Sequence, residues 1–124
     1  MKEYQAFQTL EVMNNRISSF YTFSHKRTAL LDEMMVSKGL RSFRVQKTQD
    51  TRWVASHVEA MIKLLGKWQY LLENISSILG RNDNSEVGKK NAGEIVDFLK
   101  NKHALVKTTK TVIYILICQE HLSI

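Results

Sequence analysis

Residues Thr51 to Leu79 read TRWVASHVEAMIKLLGKWQYLLENISSIL, and eight apolar residues within them keep one rhythm. Val54, Val58, Met61, Leu65, Trp68, Leu72, Ile75 and Leu79 are spaced alternately by four and three positions. An α-helix repeats every 3.6 residues, so this rhythm sets all eight in one stripe along one side. Trp53, Ile62, Leu64 and Leu71 flank the stripe and widen it into a packing face. Asp50 or Thr48 can cap the start, and the polar run from Gly80 to Ser85, GRNDNS, can stop it. Gly66 weakens the interior by roughly 1 kcal/mol relative to alanine, which so long a seam can carry. The stretch predicts one long, buried helix.

The rest of the chain supplies helices to pack on it. Between Glu3 and Phe23, the residues Phe7, Leu10, Met13, Ile17 and Phe20 recur at three- and four-residue steps, as in an amphipathic helix. Ser24 is a good N-cap for a second helix over His25 to Ser37, with Leu30, Leu31, Met34 and Met35 as its apolar face and Gly39 as its stop. Residues 38–49 show no helical period, and Arg81 to Lys90 reads as a loop. A further helix is expected from about Asn91 to Lys110, with Ile95, Phe98, Leu99, Leu105 and Val106 inward. The tail TVIYILICQ has the β-branched density of a strand, yet Val112, Ile113 and Leu116 continue a helical stripe, and we read it as helix. The expectation is an all-α fold: one domain over residues 1–124, of about four to five helices organised around one long central helix.

Composition narrows the class further. With 124 residues the chain can bury one core but not two. No proline interrupts any predicted helix, and the single cysteine, Cys118, excludes an intrachain disulfide and suits a reducing compartment. The N-terminal MKEYQAFQTLEV lacks the continuous apolar core of a signal peptide, and the longest apolar run, Val112 to Cys118, is too short to span a bilayer. The reading is a nuclear or cytoplasmic protein without a membrane partner. A net charge of +6 favours a polyanionic partner without choosing one.

Two stretches carry a family likeness. QDTRWVASHVEAM, at the head of the predicted long helix, resembles the Arg-Trp segment of hAT-superfamily transposases and of host proteins domesticated from them. FYTFSHKRTALLDEM, from Phe20 to Met34, is similar to that family's helix, Ser-x-Lys-Arg, helix segment, with His25 where the family often has proline. The likeness covers roughly residues 7 to 105 in the family's order. It implies the all-α domain that those transposases insert into an RNase H-like catalytic core, and hence a transposase-derived chain or a truncated piece of one. The sequence after Lys110 departs from the family pattern.

The same resemblance argues against catalysis. Those enzymes cut DNA with two metal ions held by acids of the RNase H-like core, and two-metal chemistry needs carboxylates that converge. The family's first acids precede the matched region and its last follows it. The twelve acids here are scattered; Glu94 and Asp97 share a helix face without a third partner. We expect no enzyme activity, no cofactor, no metal site and no small-molecule substrate. Cys118-x-x-His121 is half of a zinc spacing without a second pair, His57 has no companion ligand, and the sequon at Asn74 lies inside the seam helix.

What remains is a set of candidate nucleic-acid contacts: Lys26, Arg27, Lys38, Arg41, Arg44, Lys47, Arg52 and Trp53. Lys26 and Arg27 fall in the first turn of the second helix, where the macrodipole disfavours cations but free amides would welcome a phosphate. An exposed basic turn is the plainer reading. From Lys38 to Arg52 there are five cations and one acid, Asp50, so the segment can follow a phosphate backbone, with Phe43 and Trp53 interleaved for base stacking. A solvated loop is an equal reading. In the family, the tryptophan matching Trp53 helps hold a flipped base, but Trp53 lies one residue from the apolar stripe, and within this chain a structural role is favoured. Lys100, Lys102, Lys107 and Lys110 read as the wet face of the last helix. Two functions stay open: a non-catalytic helical fragment with weak DNA binding, and a module that pairs with a protein partner or with itself through the apolar seam.

Overall fold

A computed structural model of the chain describes residues 2–48, 54–81, 86–101, 107, 109, 110, 113 and 114; the side chains of residues 2–7, 54–56, 86 and 87 lie outside that description. The described chain is all-α. Five helices follow in order: α1 (Lys2–Thr22), α2 (His25–Ser37), α3 (Val54–Gly66), α4 (Trp68–Leu79) and α5 (Glu86–Lys100). No strand occurs among the described residues, and no helix among them is long and apolar enough to cross a membrane. Residues 107, 109, 110, 113 and 114 are also helical, and the rest of the tail, with Cys118 and His121, lies outside the described residues.

The first two helices form as their sequences dictate. Leu10, Met13, Ile17 and Phe20 of α1 are buried, as are Leu31 and Met35 of α2, with Leu30 and Met34 packed beside them. Ser24 caps α2: its backbone is extended and its hydroxyl accepts the Arg27 amide at 3.3 Å. At the other end, Gly39 takes φ +72°, the Gly39 amide bonds Val36 O at 2.9 Å and the Leu40 amide bonds Met35 O at 3.0 Å. This is a Schellman motif, and it needs the left-handed backbone that glycine adopts without a Cβ penalty.

The long helix is where expectation and structure part. It is two helices, separated at Lys67, whose backbone (φ −110°, ψ 9°) leaves the helical region. The Lys67 amide closes a tight turn onto Leu64 O at 3.1 Å, and the ladder resumes with the Leu71 amide on Lys67 O at 3.0 Å. Gly66, the poorest helix former of the stretch, ends α3 there. The buried stripe also has a different phase. Val58, Met61, Trp68 and Ile75 are buried as expected, but Leu65, Leu72 and Leu79 are only half-buried, while Leu64, Leu71 and Ile78 go fully inward. The longest helix is therefore α1, at 21 residues.

Two helices act as hubs. α1 packs on α2, α3 and α5, and α4 packs on α5, α2 and α3, the α4–α5 pair being the most extensive. α5 starts at Glu86, earlier than the expected Asn91, and stops at Lys100 rather than Lys110. Gly88 and Ala92 are buried in its first half, continuing the inward face of Ile95, Val96 and Leu99. Small residues there let helix backbones approach closely but contribute almost nothing to a hydrophobic pattern. At the other end of the α4–α5 pair, Trp68 Nε1 donates to Leu99 O at 2.8 Å, and its ring lies 5.5 Å from that of Phe98.

Buried polar groups join the hubs. The Tyr21 hydroxyl donates to Asn74 Oδ1 at 2.6 Å, linking α1 to α4, and burial pushes the Tyr21 phenol well above its ordinary pKa. Asn74 is 3 % exposed, which removes it as a glycosylation acceptor. Because Leu71 is fully enclosed and Leu72 is not, Leu71→Ala should cost about 2 to 5 kcal/mol of stability and Leu72→Ala distinctly less. Urea unfolding followed by far-UV circular dichroism measures the difference; equal costs would return the stripe to its expected phase.

Candidate nucleic-acid interface

Of the eight candidate residues, Arg52 and Trp53 lie outside the described residues. The other six occupy two places: the corner between α1 and α2, and the segment 38–48 that leaves α2. Neither place is a simple row of free cations.

Arg27 is turned back onto α1. Its Nη1 donates to Phe20 O at 3.2 Å and its guanidinium carbon sits 4.1 Å from the centre of the Phe20 ring. Thr28 does the same one residue on, its hydroxyl donating to Tyr21 O at 2.8 Å. Phe20 and Tyr21 belong to the last turn of α1, where carbonyls run out of partners within the helix; Tyr21 O also accepts the Ser24 amide at 3.1 Å. A cation at the first turn of α2 is disfavoured by that helix's dipole, but at the C-terminus of α1 the sign is reversed and the charge stabilises. Arg27 thus has a structural duty that accounts for its place without a phosphate. Lys26 points outward and is exposed.

The segment after α2 is anchored at several points along its length. Arg44 makes a two-pronged contact with Asp32 of α2, Nη1 to Oδ1 at 2.6 Å and Nη2 to Oδ2 at 2.9 Å, and the Ser42 hydroxyl donates to the same carboxylate. Phe43 and Val45 pack against the core, so the Phe43 ring faces inward rather than standing free for a base. Asn14, buried in α1, donates to Gln46 O at 2.8 Å, and the Thr48 amide donates to Asn15 Oδ1 at 2.9 Å. Lys38, at the end of α2, pairs with Glu73 of α4 at 3.1 Å. What the segment presents outward is Arg41 and Lys47: both are exposed, and neither pairs with an acid among the described residues. The three-residue recurrence of charge from Lys38 to Lys47 therefore resolves into two cations that anchor and two that are offered.

Elsewhere the described residues bring no three His, Cys, Asp or Glu side chains together. Glu94 pairs with Arg16 of α1 at 2.6 Å, and His57 of α3 with Glu11 of α1. Lys100, Lys107 and Lys110 are exposed, and Lys102 lies outside the described residues. Sequence reasoning missed the partners Asp32 and Glu73, which lie 12 positions from Arg44 and 35 from Lys38 along the chain; no local spacing signals either pair. No protein-family model matches the chain, and no curated protein or solved structure matches it.

The Asp32–Arg44 contact makes a pH-dependent prediction. Hydrogen bonds from Arg44 and Ser42 hold the Asp32 carboxyl below its ordinary pKa. A lowered folded-state pKa means stability that is present above the unfolded-state value, near 3.9, and lost as pH falls through the folded-state value. Both side chains are more than a third exposed, so screening keeps the contribution under about 1 kcal/mol. Asp32→Asn should lower the melting temperature slightly at pH 7, and the gap to the native protein should close below about pH 4. A gap independent of pH would remove the ion pair as its cause.

Proposed function

We propose that the chain is a non-catalytic helical domain of hAT-transposase descent that holds nucleic acid weakly, without sequence preference, in the nucleus or cytosol. The observation that supports it best is the division of labour along residues 38–48. Arg44 and Lys38 are tied to acids of the same chain, and this fixes the course of a segment whose Arg41 and Lys47 face solvent. Two exposed cations on an anchored segment suit a phosphate backbone, and the overall charge of +6 favours its approach. Contacts of this kind position a nucleic acid but read no bases. Arg52 and Trp53 follow in the sequence and remain candidates outside the described residues. The absence of catalysis rests on the resemblance, whose metal-holding acids fall in flanks outside the matched region.

The alternative, an interaction module using the apolar seam, would have to rely on Ile62, which is exposed, and on the half-buried Leu65, Leu72 and Leu79. The other seam residues Val58, Met61, Trp68 and Ile75 are buried in the chain's own core, and the first reading asks less of that apolar face.

Salt dependence tests the proposal. Each phosphate contact on duplex DNA contributes a slope of about −0.9 in log affinity against log salt. Replacing Arg41 and Lys47 together by alanine should flatten the slope by about 2 and weaken all duplex sequences alike, as read by fluorescence anisotropy. Arg44→Ala should leave the slope nearly unchanged and lower the melting temperature instead. An unaltered slope in the double variant would place the binding surface elsewhere, and measurable nicking of DNA with magnesium or manganese would overturn the non-catalytic assignment.

A further inference from the structure

The anchored segment also roofs a cavity. The cavity is lined by Phe43 and Val45 of the segment, by Ala60, Leu64 and Leu71 from both sides of the α3–α4 break, and by Asn14 of α1. Its volume is about 250 Å³. Asn14 is already bonded to Gln46 O, so the walls offer an occupant mainly apolar surface. Three cations, Arg44, Lys63 and Lys67, border the space. Two of them already have an acid partner: Arg44 has Asp32, and Lys63 has Glu59 one turn away at 3.4 Å. Lys67 has no acid partner among the described residues. Its ammonium instead lies 5.2 Å from the centre of the Phe43 ring and 5.8 Å from that of Tyr70. A lysine that leans on aromatic faces beside an apolar cavity leaves one unneutralised positive charge there.

From these observations we infer that the cavity between the 43–46 segment and the α3–α4 break binds a small amphipathic monocarboxylate, its apolar body inside and its carboxylate on Lys67. Charge complementarity selects the head group, because one unneutralised cation calls for one anion. Size selects the body. A cavity of ~150 Å³ admits benzene and pockets for drug-sized ligands begin near ~300 Å³, so the occupant is a medium-chain or small aromatic acid. The α3–α4 break is what creates the site: Lys67 is the residue that leaves the helix, between Leu64 and Leu71.

The test uses the full chain and titrates octanoate and octan-1-ol, followed by amide chemical shifts in ¹⁵N-labelled protein. Octanoate should saturate with shifts centred on residues 43–46 and 60–67, and octan-1-ol should bind about tenfold more weakly, the difference a charge-assisted contact makes. Lys67→Gln should weaken octanoate about tenfold and leave octan-1-ol unchanged, with Lys67→Arg restoring much of the loss. Ala60→Leu, which fills the cavity, should block both. Should Ala60→Leu fail to fold, Lys67→Gln decides alone, since its side chain sits at the rim. The inference is overturned by non-saturating shifts, by octan-1-ol binding as tightly as octanoate, or by indifference to Lys67→Gln. Binding of a short leucine-containing acidic peptide in place of octanoate would also overturn it, by making the cavity a protein-docking point.

Discussion

A carbonyl in the last turn of an α-helix has lost its amide partner, and in a bundle of short helices many such groups face protein rather than water. Leaving one buried and unpaired costs about 1 to 3 kcal/mol, a large fraction of what a domain of this size has to spare. The joints of this chain are arranged around that constraint. Arg27 and Thr28 of α2 satisfy the end of α1, the Gly39 turn satisfies the end of α2, and the Trp68 indole satisfies Leu99 O at the end of α5. At the ends of α1 and α5 the donors come from another helix, so closing the helix end and docking a neighbour are one event, whereas α2 is closed by its own following turn. No buried side-chain nitrogen or oxygen among the described residues is left without a partner.

This explains which parts of the fold were legible. Ser24 and Gly39 are local signals, because a cap and a left-handed turn depend on the residue at one position, and both behave as their chemistry requires. The phase of the seam is not local. Leu64-Leu65, Leu71-Leu72 and Ile78-Leu79 are apolar doublets seven positions apart, and a period of 3.6 accepts either member of each. Which member goes inward is decided by where α1, α2 and α5 lie, and the structure takes the first of every pair. The early start of α5 was hidden for a related reason. Gly88 and Ala92 face inward because they are small, and smallness leaves no trace in a hydrophobic rhythm.

The candidate site was legible as a composition and illegible as a surface. Counting charge between Lys38 and Arg52 finds a basic segment, but whether a cation is offered or tied depends on acids brought close by folding. Arg27 shows the point most sharply. Its position in a Ser-x-Lys-Arg segment invites a phosphate, and the helix dipole of α2 makes an unpartnered arginine there look anomalous. Once α1 is seen to end against it, the anomaly disappears, because the charge sits at the negative end of one helix while belonging to the positive end of the next. A resemblance resting on that segment can therefore reflect the demands of a helical corner as much as those of a bound nucleic acid.

Residues 38–48 join the two proposed activities mechanically. The outer side presents Arg41 and Lys47, the inner side supplies Phe43 and Val45 to the cavity, and Arg44 with Asp32 fixes the segment between them. An exposed ion pair contributes only about 0 to 1 kcal/mol, so a polyanion can compete with Asp32 for Arg44 at little cost. Such competition would loosen the roof of the cavity, whereas contact through Arg41 and Lys47 alone would leave it in place. The two modes of nucleic-acid contact thus differ in their effect on a cavity ligand. Contact that captured Arg44 would oppose the ligand only as far as the remaining anchors at Gln46 and Thr48 let the segment shift, and by reciprocity of linkage the ligand would weaken that contact by the same factor. Contact confined to the outer cations carries no such coupling. The Asp32–Arg44 pair shares the task of holding the segment with the Asn14–Gln46 and Asn15–Thr48 bonds, so any coupling between the outer surface and the inner cavity is limited to what that one pair contributes.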